Sequence, residues 1–323
     1  MAQYQASARA HTNIALIKYW GKKDQQLILP MNGSLSLTLD KFYTDTSVSY
    51  DKNLTQDEFY LNGAQKEDPK VMHFMDIVRQ NTGFDSHAVI KSTNHVPTAA
   101  GLASSASAYA ALALAATAAA NKKFDRQKLS RIARRGSGSA TRSIFGGFAE
   151  WLEGTDDQSS YAQPLEYEND WDIRMIAIVI DDQPKKVSSR QGMQTVVATS
   201  PFYSEWIKSA KTDLKNIKTA LASQDFKHFG EIAESNALKM HALNLSAQPH
   251  FNYFAPASII AMNIIEEIRE LGYPCYYTMD AGPNVKVICK NADLSVILRQ
   301  LQNHFPADHL LVAAPGPGAQ LLD

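Results

Sequence analysis

A two-lobed fold of the α/β or α+β class, with helices and strands mingled in both lobes, is what this sequence predicts. Both halves carry short alternating or β-branched runs beside stretches whose apolar residues fall three or four apart. A chain of 323 residues that is 45% hydrophobic and 20% charged can bury one large core or two smaller ones. No fixed-period repeat or low-complexity linker interrupts it, and the mingling of helices and strands in both lobes favours such an enzyme-like fold over a bundle or a sandwich.

Taken in order, LSLTLD (35–40), TSVSY (46–50) and HAVIKS (87–92) read as strands. DPKVMHFMDIVRQNTG (68–83) has Val71, Met75 and Val78 at helical spacing and stops at Gly83. LEGTDDQSSYAQ (152–163) reads as a surface loop or hairpin connection, and WDIRMIAIVID (171–181) as a buried strand. The lobe boundary is placed just after that strand, giving lobes of 1–183 and 184–323. The second lobe opens with the polar loop DDQPKKVSSRQGM (181–193), followed by helical patterns over 203–222, 226–243 and 256–271. CYYTMDAGPNVKVICK (275–290) and HLLVAAPGPG (309–318) carry strand signals around the helical run 294–305.

Several function classes are set aside on composition. A formal net charge of -1 gives no broad pull toward nucleic acid or anionic lipid, so no nucleic-acid partner is expected and any anion site must be a local cluster. The uncharged run from Ser92 to Asn121 reaches the ~20 residues of a membrane span, but it is rich in Ala, Ser and Thr and contains His95, Pro97 and Gly101. No membrane span is expected. Cys275 and Cys289 are the only cysteines, without metal-type pairing, and MAQYQASARAHTN lacks an apolar signal region, so a reducing, cytoplasmic setting is expected. The histidines show no HExxH or paired spacing, which leaves them structural roles.

The stretch PTAAGLASSAS (97–107) has turn chemistry up to Gly101 and becomes a strong helix former from about Ala103. A loop feeding a helix N-terminus presents unpaired N–H groups and partial positive charge, and Ser104, Ser105 and Ser107 add hydroxyl donors. From spacing alone, a serine there either caps an Ala-rich helix or holds a phosphate. It is neither a Walker loop, lacking Gly-Lys-Ser/Thr, nor a dinucleotide fingerprint.

This stretch resembles the phosphate loop of the GHMP small-molecule kinase superfamily. NIALIKYWGKKD (13–24) in turn looks like the first signature of the diphosphomevalonate decarboxylases. NGSLSLTLD (32–40), RRGSGSATRSIFGGFAEW (134–151) and TMDAGPNVK (278–286) are similar to the same family, in order, over nearly the whole chain. The resemblance implies an α+β GHMP kinase fold: an N-terminal lobe like ribosomal protein S5 domain 2, a C-terminal ferredoxin-like lobe, and the active site in the cleft between them. It also implies ATP-dependent decarboxylation of (R)-mevalonate 5-diphosphate to isopentenyl diphosphate, with ATP as co-substrate, Mg2+ as cofactor, and a homodimer.

On the same resemblance, Asp280 is the acid–base residue at the substrate's 3-hydroxyl, and Lys18 neighbours the reacting groups. Arg142, with the amide of Asn13, grips the C1 carboxylate; a guanidinium is a planar two-pronged donor suited to that task. Ser137, Gly138, Ser139, Ser189 and Arg190 hold the diphosphate, and Tyr19, Trp20 and Lys22 complete its pocket. Lys185 and the loop residues Pro97, Ala100, Gly101, Leu102, Ala103, Ser104, Ser105 and Ser107 serve the ATP phosphates, with Ser105 as the magnesium ligand. Lys91, Ser92 and Asn94, just ahead of the loop, are the expected adenine contacts. A 3-kinase would differ at Asp280, a monophosphate decarboxylase would not need Tyr19, Lys22 and Arg190 together, and a silent relative would have lost Asp280, Arg142 or the serine loop.

Overall fold

The computed structural model describes residues 4–95, 104–166, 171–181 and 186–322. The first part of the chain runs β1 (Gln5–Ile17), a small hairpin of β2 (Lys22–Asp24) and β3 (Leu29–Pro30), β4 (Ser34–Asp51), β5 (Glu58–Leu61), β6 (Ala64–Gln65), α1 (Pro69–Thr82) and β7 (His87–His95). Next come α2 (Ser104–Ala119), α3 (Arg126–Gly136), α4 (Ala140–Ser143), β8 (Phe148–Trp151) and β9 (Ala162–Pro164). The segments 35–40 and 46–50, read as separate strands, are one long strand: the charged residues where they join, Asp40, Lys41 and Asp45, alternate onto the open side of β4 or sit at its kink.

β1 and β4 form the antiparallel spine of the larger sheet, whose path is β14-β1-β4-β7-β5-β6, with β8 and β9 attached to β4. The α2 helix packs on this spine with Ala110, Ala111, Ala113, Ala115, Ala116 and Ala119 buried, and side chains this small let helix and sheet approach closely. The β1–β4 register shifts between His11 and Asn13 and again between Ala15 and Ile17. Such irregularities re-aim side chains, and Asn13 and Ala15 both face the cavity described below.

The second part runs β10 (Ile173–Ile178), α5 (Ser189–Thr199), α6 (Tyr203–Ala222), α7 (Phe226–Ser246), α8 (Pro256–Glu270), β11 (Cys275–Met279), β12 (Val285–Lys290), α9 (Leu294–Gln302), β13 (Leu310–Ala313) and β14 (Gln320–Leu322). Its sheet has the all-antiparallel order β11-β12-β10-β13, the arrangement of a ferredoxin-like lobe. Alternation along β10 sorts its side chains: Ile176 and Ile178 pack with α8 and α9, while Ile173 and Met175 join β1, β4, α6 and α7 in a core between the sheets.

The boundary drawn after residue 183 assigned β10 to the first lobe, whereas its hydrogen bonds to β12 and β13 make it a central strand of the second sheet. A buried strand reads the same in either sheet, because burial on both faces leaves no alternation to say which neighbours it will have. The chain end also crosses back: β14 pairs with β1, and Pro315 bridges to Leu39.

Candidate active site

A cavity of about 270 Å³ opens between the two sheets. Its lining comes from the end of β1 and the residues after it, Lys70 of α1, Ser105 and Tyr109 of α2, the 136–142 turn, the start of α5, Met240 of α7, and the loop after β11.

At the inner end lies Arg142, fully buried in the single turn of α4. Its Nη1 donates to Ser34 Oγ at 2.5 Å and its Nε to Asn13 Oδ1 at 3.3 Å, and it has no carboxylate in ion-pair range among the described residues. Burial holds the guanidinium down at about 10. Asp280 acts on it from beyond ion-pair range, and burying a guanidinium without a close anion is costly, a cost that a ligand carboxylate would relieve. Asn13 is itself fixed: its Nδ2 donates to Ser139 O at 2.9 Å and to Ser143 Oγ at 2.8 Å, which occupies both amide hydrogens. Asn13 therefore orients Arg142 rather than offering a donor of its own.

Asp280 follows the last residue of β11, and its carbonyl accepts from Gly282 N at 2.8 Å in a tight turn. Lys18 Nζ stands 2.8 Å from Asp280 Oδ1, and Lys286 Nζ 3.7 Å from Oδ2. Both lysines are fully buried, and Lys18 also donates to Ala15 O at 2.7 Å. Burial, partly offset by Asp280, brings Lys18 down to about 8, and burial lowers Lys286 as well. His241, buried close by, is driven down to about 3 by desolvation and by Lys18, so it is neutral at working pH.

Toward the mouth, cations gather. Lys22, Lys70 and Arg190 line the cavity, and desolvation followed by repulsion from Arg190 brings Lys22 down to about 8. Ser105 Oγ lies 3.3 Å from Ser137 Oγ, which lies 3.2 Å from Ser139 Oγ, so hydroxyls from α2 and the 137–139 turn form one row. Tyr19 Oη is buried with no hydrogen-bond partner among the described residues. Gly138 packs against the Tyr19 ring so closely that a Cβ would come within 2.7 Å of it. The glycine is needed for the aromatic wall of Tyr19 and Trp151, whose rings are 4.8 Å apart. Among the described residues, five cations (Lys18, Lys22, Lys70, Arg142, Arg190) face one carboxylate, Asp280, around this cavity. Such a site suits a small polyanion that carries a carboxylate at one end and phosphate at the other.

Family models for the diphosphomevalonate decarboxylase-like N-terminal domain and the mevalonate 5-diphosphate decarboxylase C-terminal domain match residues 10–162 and 175–314. The diphosphomevalonate decarboxylase of Candida albicans is 36% identical, over 94% of this chain and 89% of its own length. The chain belongs to the diphosphomevalonate decarboxylase family. The crystal structure of mevalonate diphosphate decarboxylase from Staphylococcus aureus superposes with a TM-score of 0.96 at 49% identity, covering 99% of this chain and 98% of that one. Another structural relative, solved in complex with MVAPP, AMPPCP and magnesium, has a TM-score of 0.95 at 48% identity over 99% of both chains. The two-lobed GHMP kinase fold expected for the diphosphomevalonate decarboxylase family is thus the fold of this chain.

Of the residues expected from the family resemblance, Asn13, Lys18, Tyr19, Trp20, Lys22, Ser105, Ser137, Gly138, Ser139, Arg142, Ser189, Arg190 and Asp280 converge on the cavity. Others do not line it. Ser107 is buried, its hydroxyl tied to Thr12, Thr44 and Ser104 O, so it pins α2 to the sheet. Ser92 is bonded to Thr46 at 2.8 Å, Asn94 to Thr44 and Asn62, and Lys91 lies over the Tyr60 ring; Ser104 is half-buried at the start of α2. Pro97, Ala100, Gly101, Leu102, Ala103 and Lys185 lie outside the described residues. Sequence reading missed Lys70, Tyr109, Met193, Met240 and Lys286. The signal for Lys286 was its place in the same motif as Asp280, whereas Lys70 sits in an ordinary solvated helix start.

Proposed function

We propose that the chain catalyses ATP-dependent decarboxylation of (R)-mevalonate 5-diphosphate to isopentenyl diphosphate, ADP, phosphate and carbon dioxide. The observation that carries this reading is Asp280 clasped by Lys18 and Lys286 in a cavity that Lys22, Lys70 and Arg190 also line, with Arg142 buried and without a carboxylate in ion-pair range among the described residues. The names of the relatives and the complex with MVAPP, AMPPCP and magnesium support it.

In this reading, Arg142, oriented by Asn13 and Ser34, holds the C1 carboxylate. Lys22, Arg190, Tyr19 and the Ser137–Ser139 turn hold the diphosphate, and Lys70 joins them at the mouth. Asp280 accepts the proton of the 3-hydroxyl as that oxygen attacks the γ-phosphorus, and Lys18 keeps the carboxylate in place. Phosphorylation turns a poor leaving group into a good one. When phosphate departs, positive character develops at C3, and the C1–C2 electrons fill it as carbon dioxide leaves. Arg142's task is then to align that bond, a matter of positioning rather than covalent chemistry.

The residues present fit magnesium. The hydroxyl of Ser105 and the carboxylate of Asp280 are oxygen donors on the cavity wall, and no group of three His, Cys, Asp or Glu side chains is gathered to hold a metal among the described residues. Such a sparse protein donor set is usual for an ion held mainly by nucleotide phosphates. When bound, it neutralises phosphate charge during transfer. A homodimer in the cytoplasm belongs to the same reading, supported by the family likeness and by Cys275 and Cys289 standing as free thiols. Among the described residues no helix is long and apolar enough to cross a membrane.

The deciding experiment measures carbon dioxide released from carboxyl-labelled mevalonate 5-diphosphate with ATP and magnesium, with ADP followed in parallel. Equal release of both is expected. ADP without carbon dioxide would make the chain a 3-kinase, and neither product would overturn the reading.

A further inference from the structure

The segment Lys18 to Trp20 leaves the first sheet and supplies the cavity with an amine and two aromatic walls, yet both of its ends are fastened by one helix of the second lobe. Asn236, Met240 and Asn244 are four apart on α7 and form one buried stripe. At one end of the stripe, Asn236 Oδ1 accepts from the backbone N–H of Lys18 at 2.8 Å. At the other, Asn244 Oδ1 accepts from Trp20 Nε1 at 3.0 Å. Met240, between them, lines the cavity. The segment thus lies along the helix with a hydrogen bond at each end.

Asn236 is completely buried, and its orientation is set from behind. Its Nδ2 donates to Asp213 Oδ2 at 2.9 Å, and Asp213 accepts from Lys239 Nζ at 2.9 and 3.0 Å. With Nδ2 committed to a carboxylate, the amide oxygen must face Lys18. Two more bonds clamp the same segment: Asn32 Nδ2 to Lys18 O at 2.9 Å, and Tyr203 Oη to Trp20 O at 2.8 Å. Both backbone groups of Lys18 are therefore satisfied by buried side-chain amides rather than by sheet partners, which fixes where its Nζ can reach.

We propose that α7 is the positioning element of this site, with Asn236 the positioning residue that keeps the Lys18 amine on Asp280 and Asn244 the one that sets the aromatic wall. The assignment rests on the proposed decarboxylation for the reaction to be measured, though not for its geometry. Because α7 and Asp280 belong to the second lobe while Lys18 belongs to the first, the stripe also couples the two lobes at the point of chemistry.

Asn236→Leu keeps size and burial but leaves the Lys18 N–H without an acceptor. The expected result is a kcat lower by about 10- to 100-fold with the ATP dissociation constant within about twofold of wild type, since a displacement near 1 Å suffices for such a loss. Ala237→Gly, one residue along the same helix, breaks no side-chain hydrogen bond; it is the control for mere loosening of α7 and should retain wild-type kcat below its melting point. In parallel, acylation of Lys18 by an amine-directed reagent, read by peptide mass spectrometry, should be at least about fivefold faster in Asn236→Leu than in Ala237→Gly, because the buried amine is no longer held in place. Equal kcat or equal labelling in the two variants would overturn the proposal. Should Asn236→Leu fail to fold, Asn244→Leu must weaken mevalonate 5-diphosphate binding about tenfold, as one wall of the pocket is released, and unchanged binding would equally overturn it. If the wild-type enzyme releases no carbon dioxide, the functional reading fails and the labelling comparison still decides the role of Asn236.

Discussion

Lys18 and Asp280 come from the ends of strands in different sheets and meet at 2.8 Å, so this charge contact in the cavity is also a contact between the lobes. Among the described residues Asp280 is the one carboxylate that faces the cavity, and two buried lysines stand against its oxygens. Replacing it with Asn removes both the proton acceptor and the counter-charge. Asp280→Asn should lower kcat by about three orders of magnitude or more while ATP binding stays within about threefold, as for loss of a general base. Calorimetry for the nucleotide and a product assay for turnover check this, and near-normal turnover would remove Asp280 from its role.

Arg142 tests geometry rather than charge. Its fork is shared between Asn13, Ser34 and the space left for the ligand, which a lysine could fill with charge alone. Arg142→Lys should raise KM for mevalonate 5-diphosphate and lower kcat, for a combined loss in kcat/KM of about 100-fold or more. Unchanged steady-state constants would mean that another group grips the carboxylate.

Lys18 and Lys22 give the pH dependence a sign. Burial brings both to about 8 in the folded protein, against 10.5 for a free lysine. Between those values the unfolded chain holds protons that the folded chain has released, so their contribution to stability rises with pH across that window. Activity should run the other way. Above pH 8 a neutral Lys18 no longer pairs with Asp280, and a neutral Lys22 no longer attracts diphosphate. The profile of kcat/KM should show an alkaline limb near pH 8, and that of kcat a limb displaced upward, because bound diphosphate favours protonated Lys22. A flat kcat/KM from about pH 7 to 10 would contradict this assignment.

Much of the site was legible because its chemistry is written in compact motifs: residues 13–22, 137–142, 189–190 and Asp280 each carry their donors within a few positions. What escaped were residues whose function depends on a neighbour far along the chain. Asn236 looks like any polar residue on a helix until its partner at Lys18, in another lobe, is seen. Ser107 misled for the converse reason: its place in the serine loop suggested phosphate, but one helical turn beyond Ser104 it points into the sheet and bonds to Thr12 and Thr44. Strand β10 reads as a buried strand, but its pairing with β12 and β13 is a property of topology and not of the run itself.

Magnesium should arrive with the nucleotide. Among the described residues no set of three metal-ligating side chains is gathered, and the oxygen donors at the cavity wall are single groups such as Ser105 and Asp280. A chelator should therefore abolish turnover yet leave the melting temperature of the nucleotide-free protein unchanged. A melting temperature lowered by chelation would instead reveal a structural metal bound without nucleotide.

The turn that delivers Lys22 to the cavity depends on Gly21, whose φ of +136° is a conformation that side chains rarely adopt. A Cβ at this position would stand 1.8 Å from Tyr203 Oη, the hydroxyl that donates to Trp20 O. Gly21→Ala thus combines backbone strain with a steric conflict, and should cost about 2–4 kcal/mol of stability and weaken diphosphate binding. Tyr203→Phe alone should cost about 1 kcal/mol for the lost hydrogen bond. Together the two changes should be less damaging than their sum, because removing the hydroxyl relieves the closest contact and leaves the Tyr203 Cζ position, 2.9 Å away, as the next. Denaturant melts of the two single variants and the double variant measure the coupling. Simple additivity would show that strain at φ, rather than contact with Tyr203, is what makes the glycine necessary.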